Sequence, residues 1–329
     1  MANLYCAPTK QVAPIIVPGA PGSFDEFWVA VHSIVKSAST FYAYYNAWNN
    51  AQNKKLGLAT STDGIAWTKY GTPVLPLGAP GAWDDGDIGA PCVWIENTTW
   101  YMLYCGAHAA STNYKIGLAT STDGVTWSKS ESNPVFSPSS PGAWDSGAVL
   151  SGTCMLKEGS TYKLYYWGWP SGGFNTYPYW KIGLATSTDR ITWTRHPYNP
   201  ILAGGGADTW NVGVLEPHVL KLGDWYYMWY QGNAIGGLDD YSAVGVAISP
   251  DGVNWTKYPL NPVIPHGQPG DWDSNWAEAP ILIEVTRGQW YLYYSGSRGS
   301  AATPRMAEGY GVFPPDFMIF NRSRGTIIG

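Results

Sequence analysis

Four stretches of this chain close on nearly the same phrase. Ala-Thr-Ser-Thr-Asp-Gly-x-x-Trp fills residues 59–67 and 119–127, and variants of it fill 185–193 and 247–255. The closing tryptophans, Trp67, Trp127, Trp193 and Trp255, stand 60, 66 and 62 residues apart. A worn fifth copy, 314–320, puts Phe320 another 65 residues on. A period near 60 with strand-like content and no helical stretch demands radial units that stack side by side. The repeat therefore predicts an all-β, five-bladed β-propeller with four antiparallel strands per blade, residues 1–329 forming one domain. Such a ring gathers the starts of its innermost strands at a central funnel, so residues about 60 apart in sequence become neighbours.

Each repeat carries the strands this needs. In the second, Ala90–Ile95, Trp100–Tyr104, Lys115–Ser121 and Val125–Lys129 read as strands separated by Asn97-Thr98 and Asp123-Gly124. Asp-Gly between two strand-like runs is a hairpin signal, because Gly accepts positive φ. The second strands form an aromatic set, such as Trp100-Tyr-Met-Leu-Tyr and Trp290-Tyr-Leu-Tyr-Tyr, suited to packing between blades. The repeated Trp reads as packing of the same kind. The segment Val12–Pro18 is expected to add the strand that closes the ring.

Composition narrows the function. Aromatics are 15% of the chain and charged residues 13%, with net charge −5 and no Lys/Arg cluster, which argues against a nucleic-acid partner. No run of 18 apolar residues is present, so no membrane insertion is expected. Met1–Lys10 lacks the basic start and apolar core of a signal peptide; localisation stays open, with an extracellular or virion-associated setting compatible. Cys6, Cys92, Cys105 and Cys154 have no zinc-ligand spacing, and neither metal nor cofactor is implied. Cys92 and Cys105 are symmetric about Thr98-Thr99, which offers a cross-strand disulfide or two buried thiols.

The chemistry is expected where the innermost strands begin. Aligned, these starts are His32-Ser-Ile-Val, Ala90-Pro-Cys-Val, Ser151-Gly-Thr-Cys, Glu216-Pro-His-Val and Ala279-Pro-Ile-Leu. Asp87, Glu216 and Glu278 lie at or just before this position and are expected to face the funnel. Carboxyl groups gathered in a concave, aromatic-lined pocket suit glycoside hydrolysis, where one protonates the leaving oxygen and another handles water or the sugar carbon. Crowding raises the pKa of at least one, which prepares a proton donor. The blander reading is that these acids cap strand ends.

Trp276-Ala-Glu278-Ala-Pro280-Ile-Leu, followed by Gln289-Trp-Tyr-Leu-Tyr-Tyr-Ser295, resembles the general-acid segment of five-bladed propeller glycosidases. These are the arabinanases, β-xylosidases and arabinofuranosidases, related to invertases and levansucrases. The resemblance implies Glu278 as acid and Glu216, in Glu216-Pro217-His218-Val219, as the residue that tunes it, with Glu in place of the family's Asp. Ala90-Pro91-Cys92-Val93 falls where that family carries its base as Asp-Pro-x-Val; the Asp is missing, and Asp87 is the nearest substitute. This register shifts the family's order by one blade. Without the shift Glu216 matches the acid, and the positions at Val31 or His32 and at Ser151 leave no base. Ser-Thr-Asp-Gly-x-x-Trp is also similar to the Asp-box turn of sialidases, but none of the seven arginines begins an inner strand.

Two function classes follow. The first is a glycoside hydrolase with Glu278, Asp87 and Glu216 as its catalytic set. The alternative is a non-catalytic carbohydrate-binding or structural propeller, for example a virion or cell-surface component. Either takes carbohydrate as partner, with Trp276, Trp28 and Trp169 as stacking surfaces and His218 and His32 at the border of the pocket.

Overall fold

The computed structural model describes residues 8–49, 54–109, 111–172, 180–206, 209–234, 241–298, 305–313, 320–321 and 326–327. Every regular element among them is a β-strand. A short β1 (Thr9–Lys10) precedes the first unit, an antiparallel sheet of β2 (Trp28–Ser37), β3 (Thr40–Trp48), β4 (Lys55–Ser61) and β5 (Thr68–Lys69). The next has the same order: β6 (Asp87–Glu96), β7 (Thr99–Ala107), β8 (Lys115–Ser121) and β9 (Ser128–Lys129). In the third unit a break divides the inner strand into β10 (Ala148–Ser151) and β11 (Leu156–Glu158). Both pair with β12 (Thr161–Trp169), followed by β13 (Lys181–Ser187) and β14 (Thr194–Arg195). The fourth comprises β15 (Gly213–Leu222), β16 (Trp225–Asn233), β17 (Ser242–Ser249) and β18 (Thr256–Lys257). The last main-sheet strands are β19 (Trp276–Thr286), β20 (Gln289–Arg298) and β21 (Arg305–Val312).

The chain's beginning completes its end. β1 pairs antiparallel with β21, and Ile16 bridges to Glu308, so the closing contacts run from Thr9 through Ile16. A single parallel pair, Trp28 with Met306, then joins β21 to β2. Phe320 has a different place from its repeat partners. It begins β22 (Phe320–Asn321), which pairs with β23 (Thr326–Ile327), while β1 takes the outer place beside β21. The rest of the worn copy, 314–319, lies outside the described residues.

The repeated phrase builds a turn and a rivet. Asp123 Oδ1 accepts the Val125 and Thr126 amides at 2.8 Å, Ser121 Oγ accepts the Gly124 amide at 2.9 Å, and Gly124 has φ +74°. Three consecutive orphan amides are thereby satisfied by the turn's own side chains. The closing Trp packs on the preceding unit: Trp127 on Tyr44, Trp255 on Tyr165 and Trp67 on Tyr293. These tyrosines donate to the turn carbonyls of Gly124, Gly252 and Gly64 at 2.6–3.0 Å. The Tyr293–Gly64 bond ties β20 to the first unit, across 229 residues of chain.

Four aspartates that follow an aromatic residue ahead of an inner strand, Asp25, Asp84, Asp145 and Asp273, staple strands within their units. Asp84 Oδ2 receives the Tyr104 hydroxyl at 3.0 Å and the Lys129 ammonium at 2.6 Å. Asp25 does the same with Tyr45 and Lys69, Asp145 with Tyr166 and Arg195, and Asp273 with Tyr294 and Lys10.

Cys92 and Cys105 are free thiols and do not face each other. The hairpin turns at Asn97-Thr98, with Glu96 opposite Thr99, so Cys92 pairs with Leu103; the bulge at Ala90-Pro91 then sets Cys105 opposite Gly89. Cys6 lies outside the described residues.

Candidate functional site

Three inner strands are bent by the same device. β6, β15 and β19 lose register between Gly89 and Cys92, Leu215 and His218, and Glu278 and Ile281. At each bulge a residue before proline has positive φ: Ala90 (44°), Glu216 (51°) and Ala279 (51°). Proline costs the ladder no hydrogen bond at a bulge, and the bend re-aims the side chains beside it. The bulges thus fix where Glu216 and Glu278 point. The inner strands also meet across the middle. Thr153 Oγ1 reaches the Pro280 carbonyl at 3.1 Å, and the Thr153 amide reaches that of Pro217 at 3.0 Å.

Glu216 is buried and Glu278 half-buried. Burial pushes the Glu216 carboxyl well above the usual carboxylate range, and the charge of Glu278 pushes it further. Burial also raises Glu278, to about 7, against the opposing pull of a Gln231 hydrogen bond and the Lys54 charge. Gln231 Nε2 donates to Glu278 Oε2 at 3.0 Å. The two carboxyls titrate as a pair, and burial beside each other makes double ionisation costly. Neither forms a direct ion pair with Lys or Arg among the described residues; the ring of His32 stands nearby, its Nε2 3.9 Å from Glu216 Oε1. Glu216 Oε2 and Gln231 Oε1 are buried without hydrogen-bond partners.

His32 is held neutral. Asn46 Oδ1 accepts the Ala90 amide at 2.8 Å, which turns its Nδ2 toward His32 Nε2 at 2.9 Å, so that nitrogen accepts. Burial, with Lys54 nearby, lowers His32 to about 3. His218 is also buried and lowered, to about 4, with its ring nitrogens spent on Thr153 Oγ1 and the Leu282 carbonyl. It is thus bound into the wall between inner strands.

Asp87, half-buried at the start of β6, is fully engaged. Oδ1 accepts the Lys54 amide at 2.9 Å and Oδ2 the Tyr114 hydroxyl at 2.8 Å. Lys54 Nζ lies over the Tyr114 ring, 5.4 Å from its centroid. Lys54 therefore connects two places: its amide holds Asp87, and its charge acts on Glu216, Glu278 and His32. Asp87 itself is not among the charges that shift Glu216 or Glu278.

The aromatic expectations divide. Trp28 and Trp276 are half-buried and pack on each other at 6.1 Å between centroids, forming an indole pair beside Glu278. Trp169 is buried at 3% exposure among Trp167, Trp180 and Tyr114, so it offers no open ring face.

One carboxyl was absent from the sequence expectations. Glu308, on β21, is fully buried; its Oε2 accepts the Ser295 hydroxyl at 2.8 Å and the Val31 amide at 3.3 Å, and its Oε1 has no partner. Burial, and then the neighbouring carboxyls Glu216 and Glu278, raise it well above the usual range. A signal was available: the third-strand position before the repeated Gly is Leu56, Ile116, Ile182 and Val244 in the other units, and Glu308 in the last. Among the described residues, no group of three His, Cys, Asp or Glu is arranged to hold a metal ion.

Bulged inner strands that carry clustered carboxyls beside indoles suggest a carbohydrate-processing protein, and residues 29–312 match Glycosyl hydrolases family 43. The chain belongs to that family. A solved structure described as a glycoside hydrolase superposes with TM-score 0.72 at 18% identity, covering 93% of both chains. A thermostable family-43 glycoside hydrolase superposes with TM-score 0.63 at 18% identity, covering 89% of this chain and 91% of its own. Protein MT1551 of Mycobacterium tuberculosis (strain CDC 1551 / Oshkosh) is 26% identical over 233 residues, 68% of this chain and 73% of that one. The family 43 chain thus shares the propeller fold of glycoside hydrolases, and membership of the family implies a carbohydrate substrate.

Proposed function

We propose that this family 43 chain is a five-bladed propeller that hydrolyses a glycan at its central funnel. Glu278 is the general acid, Glu216 the buried partner that keeps a proton on the pair, and Asp87 the base that activates water. The observation that carries this reading is the state of Glu278. It is a half-buried carboxyl with one neutral donor, no bonded cation among the described residues, and a second buried carboxyl beside it. That environment opposes ionisation and prepares proton donation near neutral pH. Lys54 supports the assignment of Asp87, since one residue holds Asp87 through its amide and acts on the acid pair through its charge. The Trp28–Trp276 pair offers a ring-stacking surface next to the acid.

In an inverting reaction Glu278 protonates the glycosidic oxygen while Asp87 takes a proton from the attacking water. This requires roughly 6.5–9.5 Å between the two carboxyls; about 5 Å would direct the reaction through a covalent glycosyl-enzyme. The resemblance around Glu278 points to pentose- or fructose-type glycans. The test is a panel of aryl α-L-arabinofuranosides, β-D-xylosides and β-fructofuranosides with the matching polysaccharides. Hydrolysis of one class supports the reading. Glycan binding without hydrolysis of any member replaces it with a carbohydrate-binding module.

A further inference from the structure

Glu278, Ser295 and Glu308 occupy one rung across three adjacent strands, Ser295 being the register partner of both glutamates. Directly opposed residues of an antiparallel sheet project from the same face, so both carboxyls flank the Ser295 hydroxyl. That hydroxyl has a single proton to donate, and it donates to Glu308 Oε2 at 2.8 Å. The corresponding rungs of the first, second and fourth units end in Leu56, Ile116 and Val244, opposite Asn46, Cys105 and Gln231. Those second-strand side chains reach into the following unit: Asn46 accepts the Ala90 amide, Cys105 the Ser151 amide, and Gln231 donates to Glu278. In the last unit the reach is made by Glu308, which accepts the Val31 amide of the first.

We propose that Glu308 is a positioning residue for Glu278: it captures the Ser295 hydroxyl and so withholds from Glu278 the hydrogen bond that would favour its carboxylate. A donor to a carboxylate stabilises the charged form, and among the described residues Glu278 is left with Gln231 alone. The titratable groups around Glu308 are Glu278 on β19, Glu216 on β15, and Tyr293 and Tyr294 on β20. His32 on β2 stands next to Glu216, and Lys54 bears on both Glu216 and Glu278. Because burial beside two other acids disfavours its charge, Glu308 acts through the hydroxyl it holds rather than through repulsion. The role assigned to Glu278 rests on the function proposed above, but the hydrogen-bond choice of Ser295 does not.

The test is the titration midpoint of Glu278, read by carboxyl-carbon NMR on protein labelled at glutamate. Glu308→Leu installs the side chain of the first unit, frees the Ser295 hydroxyl and should lower the Glu278 midpoint by about one pH unit. Adding Ser295→Ala should restore it. Glu308→Gln still accepts from Ser295 and should leave it in place. An unmoved midpoint in folded Glu308→Leu overturns the proposal. If that variant does not fold, Ser295→Ala alone decides. No shift agrees with a hydroxyl committed to Glu308, whereas a raised midpoint means Ser295 served Glu278 and contradicts it. None of these readings needs a substrate, so a protein that hydrolyses nothing would sink the enzymatic role and leave this one measurable.

Discussion

The molecule treats two sets of buried acids in opposite ways. Asp25, Asp84, Asp145 and Asp273 each receive a tyrosine hydroxyl and a Lys or Arg, one set in every unit but the fourth. Glu216, Glu278 and Glu308 have no Lys or Arg bonded to them among the described residues, and two of the three keep an oxygen without any partner. The first set is electrostatically complete and repeats with the sheet. The second is incomplete and confined to the fourth and last units, and bulges set two of its members, with Glu216 itself at φ +51°. Complete pairing makes an acid structural, whereas under-pairing keeps a proton available for chemistry.

The largest effect should come from breaking a completed pair. Asp84→Ala leaves the Tyr104 hydroxyl and the Lys129 ammonium without their acceptor and should cost about 3 kcal/mol in urea unfolding. An effect near zero would erase the distinction between the two sets.

Neutralising an under-paired acid should do the reverse. The folded midpoint of Glu216 is above its unfolded value of 4.5, so the folded state holds the proton more tightly. Its contribution to stability is complete below about pH 4.5 and is lost as pH rises toward the folded midpoint. Glu216→Gln removes that loss and should raise stability at pH 8 by about 1 kcal/mol, with little change at pH 4. Thermal unfolding at the two pH values reads it directly, and destabilisation at pH 8 would contradict the account.

The smallest effect sharpens the comparison within the structural set. The fourth unit carries Asn211 where the others have Asp; its amide donates to Tyr230, and burial lowers the pKa of Lys257. Asn211→Asp should supply the missing carboxylate, stabilising the protein by roughly 0.5 kcal/mol and moving the Lys257 pKa upward.

The sequence revealed what repeats and concealed what departs from the repeat. The Asp-Gly-x-x-Trp phrase announced the sheet units, because turn chemistry and inter-unit packing are local and recur at each copy. Lys115–Ser121 is a strand with the expected bounds. Glu216 and Glu278 were visible because acids stood at aligned strand starts, and the structure brings them together. The expected Cys92–Cys105 pairing fails because the strands turn at Asn97-Thr98 and not at Thr98-Thr99, which pairs Cys92 with Leu103 before the bulge at Ala90-Pro91 is reached. Trp169 was misjudged because the sequence does not show that Trp167 and Trp180 close over it. Phe320 was placed by spacing alone, whereas β1 wins the outer position beside β21. Glu308 lies on a third strand rather than at an inner-strand start, and its only mark in the sequence is an acid where the other units carry Leu56, Ile116, Ile182 and Val244.

The central claim, that Glu278 gives its proton to the leaving oxygen, is tested most directly by leaving-group dependence. Wild-type protein and Glu278→Gln would be compared on an aryl glycoside whose phenol is a good leaving group and on one whose leaving group needs protonation. The account predicts a loss on the order of 10³-fold with the poor leaving group and a much smaller loss with the good one, with the fold intact by thermal unfolding. Equal losses on both substrates, or none on either, would contradict it.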